Sequence, residues 1–148
     1  MSARDDDAIW PAAVATLKSL VLLAARRLLQ GRPAMMTDNI FKKIIDGQLP
    51  ARILHEDELC LAFHDLHPQA PVHVLIIPRQ VIRTHADIQP EHQALLGHLH
   101  LVAARLAQQL GLSAGYRLVL NCREQAGQTV PHLHLHLLGG RAMGWPPG

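Results

Sequence analysis

Between positions 132 and 136 the chain reads His132-Leu133-His134-Leu135-His136. Side chains at i, i+2 and i+4 share one face of an extended strand, so three imidazoles project one way and Leu133, Leu135 and Leu137 the other. The alternation predicts a strand over 132–138, closed by Gly139-Gly140, whose leucine face needs an apolar layer and whose imidazole face is available for chemistry.

A single long helix supplies that layer. Pro90 sits at its first turn and Gly111 just past its end, the expected asymmetry. Leu95, Leu99, Val102, Leu106 and Leu110 form one stripe, with Leu96 and Ala103 beside it. A short helix is predicted over 40–45, capped by Asp38 or Asn39 and ended by Gly47. Segments 53–55 and 59–63 read as a hairpin around Glu56-Asp57-Glu58. Segment 72–77, between Pro71 and Pro78, and segment 116–121 complete five strands. Five strands, one long helix and short connections predict an α+β domain: a five-stranded antiparallel sheet with the long helix over one face and a short N-terminal helix.

Residues 1–36 read differently. Asp5, Asp6 and Asp7 precede an Ala/Leu-rich stretch in which Leu17, Leu20, Val21, Ala24 and Leu28 recur at helical spacing. The longest apolar run, 20–25, is far short of the ~20 residues that span a bilayer, and the acidic start argues against a secretory signal. Gly31-Arg32-Pro33 breaks the helix, and Met36 could serve as an alternative start. The expectation is an extension over 1–36, flexible or an amphipathic helix, followed by one domain over 37–148. The chain of 148 residues is long enough for one domain with a real core, and its 49% apolar and 18% charged residues are ordinary for one. A net charge of +2, without basic residues interleaved with aromatics, argues against a nucleic-acid track, and nothing points to a membrane. Cys60 and Cys122 lack paired-motif spacing and read as reduced thiols, which suits the cytoplasm.

Histidine is over-represented, with 11 residues. His55, His85, His92, His98 and His100 read as surface or boundary residues; the ones to explain are His64, His73 and the triplet. Three readings of the triplet stand side by side. The histidines form a solvated face, or two of them ligate zinc with His73 as a third ligand, or one acts as a nucleophile. Neutral imidazole attacks without prior deprotonation if its other nitrogen is held as an N–H donor, and a second histidine can protonate the leaving group. The loop before the strand suits the third reading. Gly127 lets backbone approach a ligand, and backbone N–H groups with Gln128 and Thr129 suit phosphoryl oxygens. Upstream, in Phe63-His64-Asp65-Leu66, Asp65 reads equally as a ribose acceptor or a turn cap.

These residues resemble the histidine triad family, and within it the Hint branch of purine nucleoside phosphoramidases. The likeness covers about residues 38–148. It rests on His132 to Leu138, on Ile40-Phe41 with Lys43-Ile44-Ile45, on Cys60-Leu61-Ala62-Phe63-His64-Asp65 and Pro68-Gln69-Ala70-Pro71. Leu95-Leu96-Gly97-His98-Leu99, Gly115-Tyr116-Arg117, Leu138-Gly139-Gly140-Arg141 and the tail Trp145-Pro146-Pro147-Gly148 extend it. The resemblance implies a symmetric homodimer whose sheet continues across the subunits, a purine nucleotide conjugate as substrate, and no cofactor or metal. It implies that His134 attacks the α-phosphorus, that His136 protonates the leaving amine with help from Thr129, and that His132 and His73 orient the others. Asp65 would hold the ribose. Ile40, Phe41, Ile44, Phe63 and Leu66, with His64 and Val130 nearby, would line the base pocket. Asn121, Gly127, Gln128, Thr129 and His136 would contact phosphate. Thr129, Pro131 and His67 depart from the branch's usual residues, which bears on rate and leaving group. A dinucleoside polyphosphate hydrolase or nucleotidyl transferase, a non-catalytic nucleotide-binding module and a zinc-binding regulator are the competing functions.

Overall fold

The computed structural model describes residues 39–147; the extension expected over 1–36 lies outside the described residues. Helix α1 spans Ile40–Ile45, and the Asn39 side chain caps it by accepting from the Lys42 amide at 2.7 Å. Strands β1 (Ile53–Glu56), β2 (Cys60–His64) and β3 (Val72–Pro78) follow. A 3₁₀ turn over Pro90–His92 leads into helix α2, Gln93–Gln109, and then come β4 (Tyr116–Val119) and β5 (Leu135–Gly139). The strands form one antiparallel sheet in the order β1-β2-β3-β5-β4, so β1 and β4 are its edges. No helix among the described residues is long and apolar enough to cross a membrane.

The pleat divides the sheet between two cores. Cys60 and Ala62 of β2, Val74 and Ile76 of β3, and Leu135 and Leu137 of β5 pack with Leu99, Val102, Ala103 and Leu106 of α2. Leu133 joins them, so the leucine face lies under the long helix as the alternation predicts. The opposite face carries a second, smaller core that the patterning did not predict. There Phe41 of α1 packs on Leu61, Phe63, Leu75 and Ile77, and the Phe41 and Phe63 rings meet edge-on with centroids 5.9 Å apart. Being covered on both faces, β3 is buried along nearly its whole length, as a central strand with a continuous apolar run should be.

Two strand boundaries differ from expectation by more than one residue. The β4 ladder ends at Val119 rather than at 121. The β5 ladder begins at Leu135 rather than at 132. Its last rung is Ile76 with Leu135, short of Pro78, which has no N–H to donate. The Pro78 carbonyl accepts instead from His132 Nε2 at 2.8 Å, and the Leu133 amide donates to the Ile82 carbonyl at 2.6 Å. Residues 132–134 are thus held outside the ladder by side-chain and loop bonds, yet the alternation of faces persists.

Candidate active site

Register builds the site. Phe63 on β2 pairs with Leu75 on β3, Leu75 pairs with His136 on β5, and His136 pairs with Val119 on β4. Directly paired residues share a face, so Phe63, Leu75 and His136 form one row under α1. His73 pairs with Leu138 and lies diagonal to His136 on that face. The row opens into a cavity of about 240 Å³ that Ile40, Phe41, Ile44, Phe63, His64, Asp65, Leu66, Thr129, Val130, His134 and His136 line. All of these were expected from the sequence. Pro50, Ala51 and Leu75 also line it and were missed, as was His67, noted only as a departure. Leu75 was legible as a core residue but not as one at the cavity floor, because only the strand register distinguishes the two.

Hydrogen bonding sets the protonation pattern of the imidazoles. His134 Nδ1 lies 2.7 Å from the His132 carbonyl, an obligate acceptor, so the proton sits on Nδ1. In the neutral ring Nε2 then carries a lone pair, and it makes no hydrogen bond among the described residues. The His134 ring stands edge-on against Phe41, centroids 5.1 Å apart, which fixes its plane. His136 carries the opposite tautomer. The Gln69 amide donates to His73 Nδ1 at 3.1 Å, so neutral His73 is protonated on Nε2. That N–H donates to His136 Nδ1 at 2.9 Å, which leaves the His136 proton on Nε2, a buried nitrogen without a partner among the described residues. One imidazole therefore presents a lone pair and its neighbour, 4.9 Å away between centroids, presents an N–H.

Burial keeps these rings neutral. It pushes His136 down to about 4, and the nearby His134 and His73 reinforce the shift against the pull of Asp65. His134 is lowered by burial despite its bond to the His132 carbonyl and the charge of Asp65. Burial also lowers His132 and His73. His132 is fully buried; its Nε2 reaches the Pro78 carbonyl and its ring stands edge-on to Phe41. It is a packing member of the triplet and does not line the cavity.

Asp65 sits where both of its readings have support. Its Oδ1 accepts from the His67 amide at 2.8 Å, a turn cap. Its Oδ2 faces His73 Nε2 at 3.4 Å, and the residue lines the cavity. The structure brings Asp65, His73 and His136 together with their donor atoms within 4.8 Å of one another. A metal there would displace the bond between His73 and His136.

The loop expected to contact phosphate is organised differently from that expectation. Gln128, Gly127 and Asn121 do not line the cavity. The Gln128 side chain accepts from the Arg123 amide at 2.8 Å and donates to the carbonyls of Arg83 and Val130 at 2.7 and 3.0 Å. It braces the loop that presents Thr129 and Val130. Gly127 is left-handed at φ 83°, with Asn121 close beside it. Arg123 adopts φ 69° with ψ 176°, a region that costs non-glycine residues ~1–3 kcal/mol. Replacing Arg123 with Gly is expected to raise stability by up to ~1–3 kcal/mol, read as a higher urea midpoint. An unchanged or lower midpoint would mean that the arginine side chain offsets the strain.

Comparison with known proteins agrees with this geometry. The HIT domain family matches residues 46–143. The chain is 57% identical over 114 residues to an uncharacterised HIT-like protein of Synechococcus elongatus, covering 77% of this chain and 100% of that one. A HIT-like protein of Synechocystis is 54% identical over the same shares. Among solved structures, a HIT family hydrolase from Legionella pneumophila superposes with a TM-score of 0.74 at 49% identity, over 75% of this chain and 100% of that one. A histidine triad nucleotide-binding protein from Candida albicans superposes with a TM-score of 0.64 at 32% identity, over 74% and 83%. With the triplet leading into β5, the two-sided sheet and these matches together, the chain belongs to the HIT, or histidine triad, family.

Proposed function

We propose that the protein is a metal-independent nucleotidyl hydrolase of the Hint type, a purine nucleoside phosphoramidase. The observation that carries this reading is the opposed tautomer pair, a lone pair on His134 Nε2 beside an N–H on His136 Nε2. His134 Nε2 attacks the α-phosphorus of a nucleoside 5′-phosphoramidate, the P–N bond breaks, and the amine leaves with a proton. Water then attacks the nucleotidyl-histidine, releasing the nucleoside monophosphate and regenerating neutral His134. Neutral His136 first donates its Nε2 hydrogen bond to a phosphoryl oxygen. The anionic substrate beside it raises its pKa, so His136 takes up a proton from solvent, passes its Nε2 proton to the departing amine with the Thr129 hydroxyl beside it, and regains one from the attacking water in the second step.

Apolar walls from Ile40, Phe41, Ile44, Phe63 and Leu75 suit a purine base, and Asp65 suits the ribose hydroxyls. At about 240 Å³ the cavity is below the ~300–1,000 Å³ common for ligand sites, so a mononucleotide fills it and the leaving group lies outside. Asn121, Gly127 and Gln128 act on phosphate through the loop they shape. We further propose a homodimer joined at the β4 edge, near which the exposed Trp145 lies in the tail that Arg117 of β4 ties down through the Gly144 carbonyl. Cys60 and Cys122 are free, which suits a cytoplasmic setting.

The test is turnover of an adenosine 5′-phosphoramidate bearing a fluorescent amine, in excess chelator, beside a dinucleoside polyphosphate. Chelator-resistant release of the amine, faster than cleavage of the polyphosphate, is expected. Preference for the polyphosphate would move the protein to the runner-up hydrolase or transferase reading. Loss of turnover in chelator would favour a metal at Asp65, His73 and His136. Monophosphate binding without any turnover would leave a nucleotide-binding module.

A further inference from the structure

On the opposite face of the sheet from the cavity, four side chains converge that the chemistry above does not use. His55 lies on β1, Asp57 in the hairpin turn, Cys60 at the start of β2 and His98 on α2. The Nε2 atoms of His55 and His98 each lie 2.7 Å from the same oxygen, Asp57 Oδ2. The other carboxylate oxygen is held by the amides of Leu59 and Cys60, both at 2.8 Å, which aims Oδ2 into the group. One donor atom from each of the four residues lies within 4.8 Å of the rest.

We propose that His55, Asp57, Cys60 and His98 form a closed tetrahedral site for a divalent metal of the zinc class that clamps the β1–β2 hairpin to α2. Two imidazoles, one carboxylate and one thiolate are the ligand types such an ion takes. The charges also balance. Asp57 and a Cys60 thiolate neutralise a divalent ion, and the nearby Arg79 is spent on the Glu56 carboxylate and the Asp57 carbonyl. Donors on a tetrahedral zinc stand ~3.3 Å apart for bonds of ~2.0–2.1 Å, so the two imidazoles need to move about half an ångström from Asp57 Oδ2. Metal entry replaces the Cys60 thiol proton, which goes to solvent, and shifts each imidazole proton from Nε2 to Nδ1. His55, Asp57 and His98 are partly exposed, with side chains 29%, 28% and 26% accessible, which gives an ion a route inward, while Cys60 closes the buried side. The site is independent of the proposed phosphoramidase activity.

The probe is Co²⁺, titrated into the untagged, chelator-stripped full chain under a phosphine reductant. One equivalent is expected to give the visible bands of tetrahedral cobalt and a thiolate-to-metal charge-transfer band in the near ultraviolet, both removed by Zn²⁺. Cys60→Ser should abolish the charge-transfer band, and Cys122→Ser should not. His55→Ala and His98→Ala should each weaken binding by at least the ~10–100-fold typical of losing an outer-shell partner. His136→Gln, which removes a donor from the cavity group, should leave the thiolate band intact. Absence of that band in the wild type, its survival in Cys60→Ser, or indifference to His55→Ala and His98→Ala would overturn the proposal and leave a hydrogen-bonded His–Asp–His clamp. If Cys60→Ser does not fold, His55→Ala decides, since its side chain is partly exposed.

Discussion

Replacing His134 with Ala is expected to lower phosphoramidate turnover by at least about 10⁴-fold, ~5.5 kcal/mol of transition-state stabilisation. No neighbour can take over the attack. His132 has its Nε2 committed to the Pro78 carbonyl and does not line the cavity. His136 presents an N–H, because the bond from His73 occupies its Nδ1. The mutation removes an edge-on contact with Phe41 and a bond to a backbone carbonyl, but not the apolar walls, so binding of the nucleoside monophosphate should change little. His136→Gln keeps a donor near the phosphoryl group and should cost less, about 10²–10³-fold. Single-turnover kinetics with acid-quench trapping of the nucleotidyl enzyme distinguishes the roles. A His134→Ala variant within tenfold of wild type would remove this residue from the mechanism.

The second large effect is on stability. Burial holds His136 neutral down to about 4, whereas an unfolded histidine titrates near 6.5. The unfolded chain therefore binds the extra proton first, and stability rises with pH across this window. The contribution is fully present above about 6.5 and is lost as the pH falls towards about 4. A pKa difference of 6.5 − 4, at ~1.4 kcal/mol per pH unit, amounts to ~3 kcal/mol from this residue. Burial lowers His132, His134 and His73 in the same direction, so they steepen the loss. Urea unfolding at several pH values is expected to show the midpoint falling through this range, with a shallower fall in His136→Asn. Asp57 acts elsewhere on the scale. Burial alone would raise its carboxyl, but hydrogen bonds from His55, the Leu59 and Cys60 amides and His98 hold it well below the ordinary carboxylate range. Its contribution is therefore lost only below the window of the histidines. A midpoint unchanged from neutral pH to pH 4.5 would show that the rings are charged or solvated in the folded protein.

The backbone pattern was legible in the chain itself because it is local. Alternation at 132–137 dictated that imidazoles and leucines part to opposite faces. The stripe from Leu95 to Leu110 dictated a helix to cover the leucines, and both cores obey this division. The family likeness named most residues of the cavity wall, but not Pro50, Ala51, His67 or Leu75. What only the tertiary structure decided is which atom each residue presents. The tautomer of His136 depends on His73, 63 residues away, and through it on the Gln69 amide. The early end of the β5 ladder depends on Pro78, and the bracing role of Gln128 depends on the Arg83 carbonyl, 45 residues away. His55, Asp57, Cys60 and His98 read as surface, turn and core until the hairpin and α2 meet, because His98 lies 41 residues from Asp57. Periodicity is set by neighbours a few residues apart and survives in one dimension. Proton placement and ligand convergence are set by partners distant in sequence, and these exist only once the chain has folded.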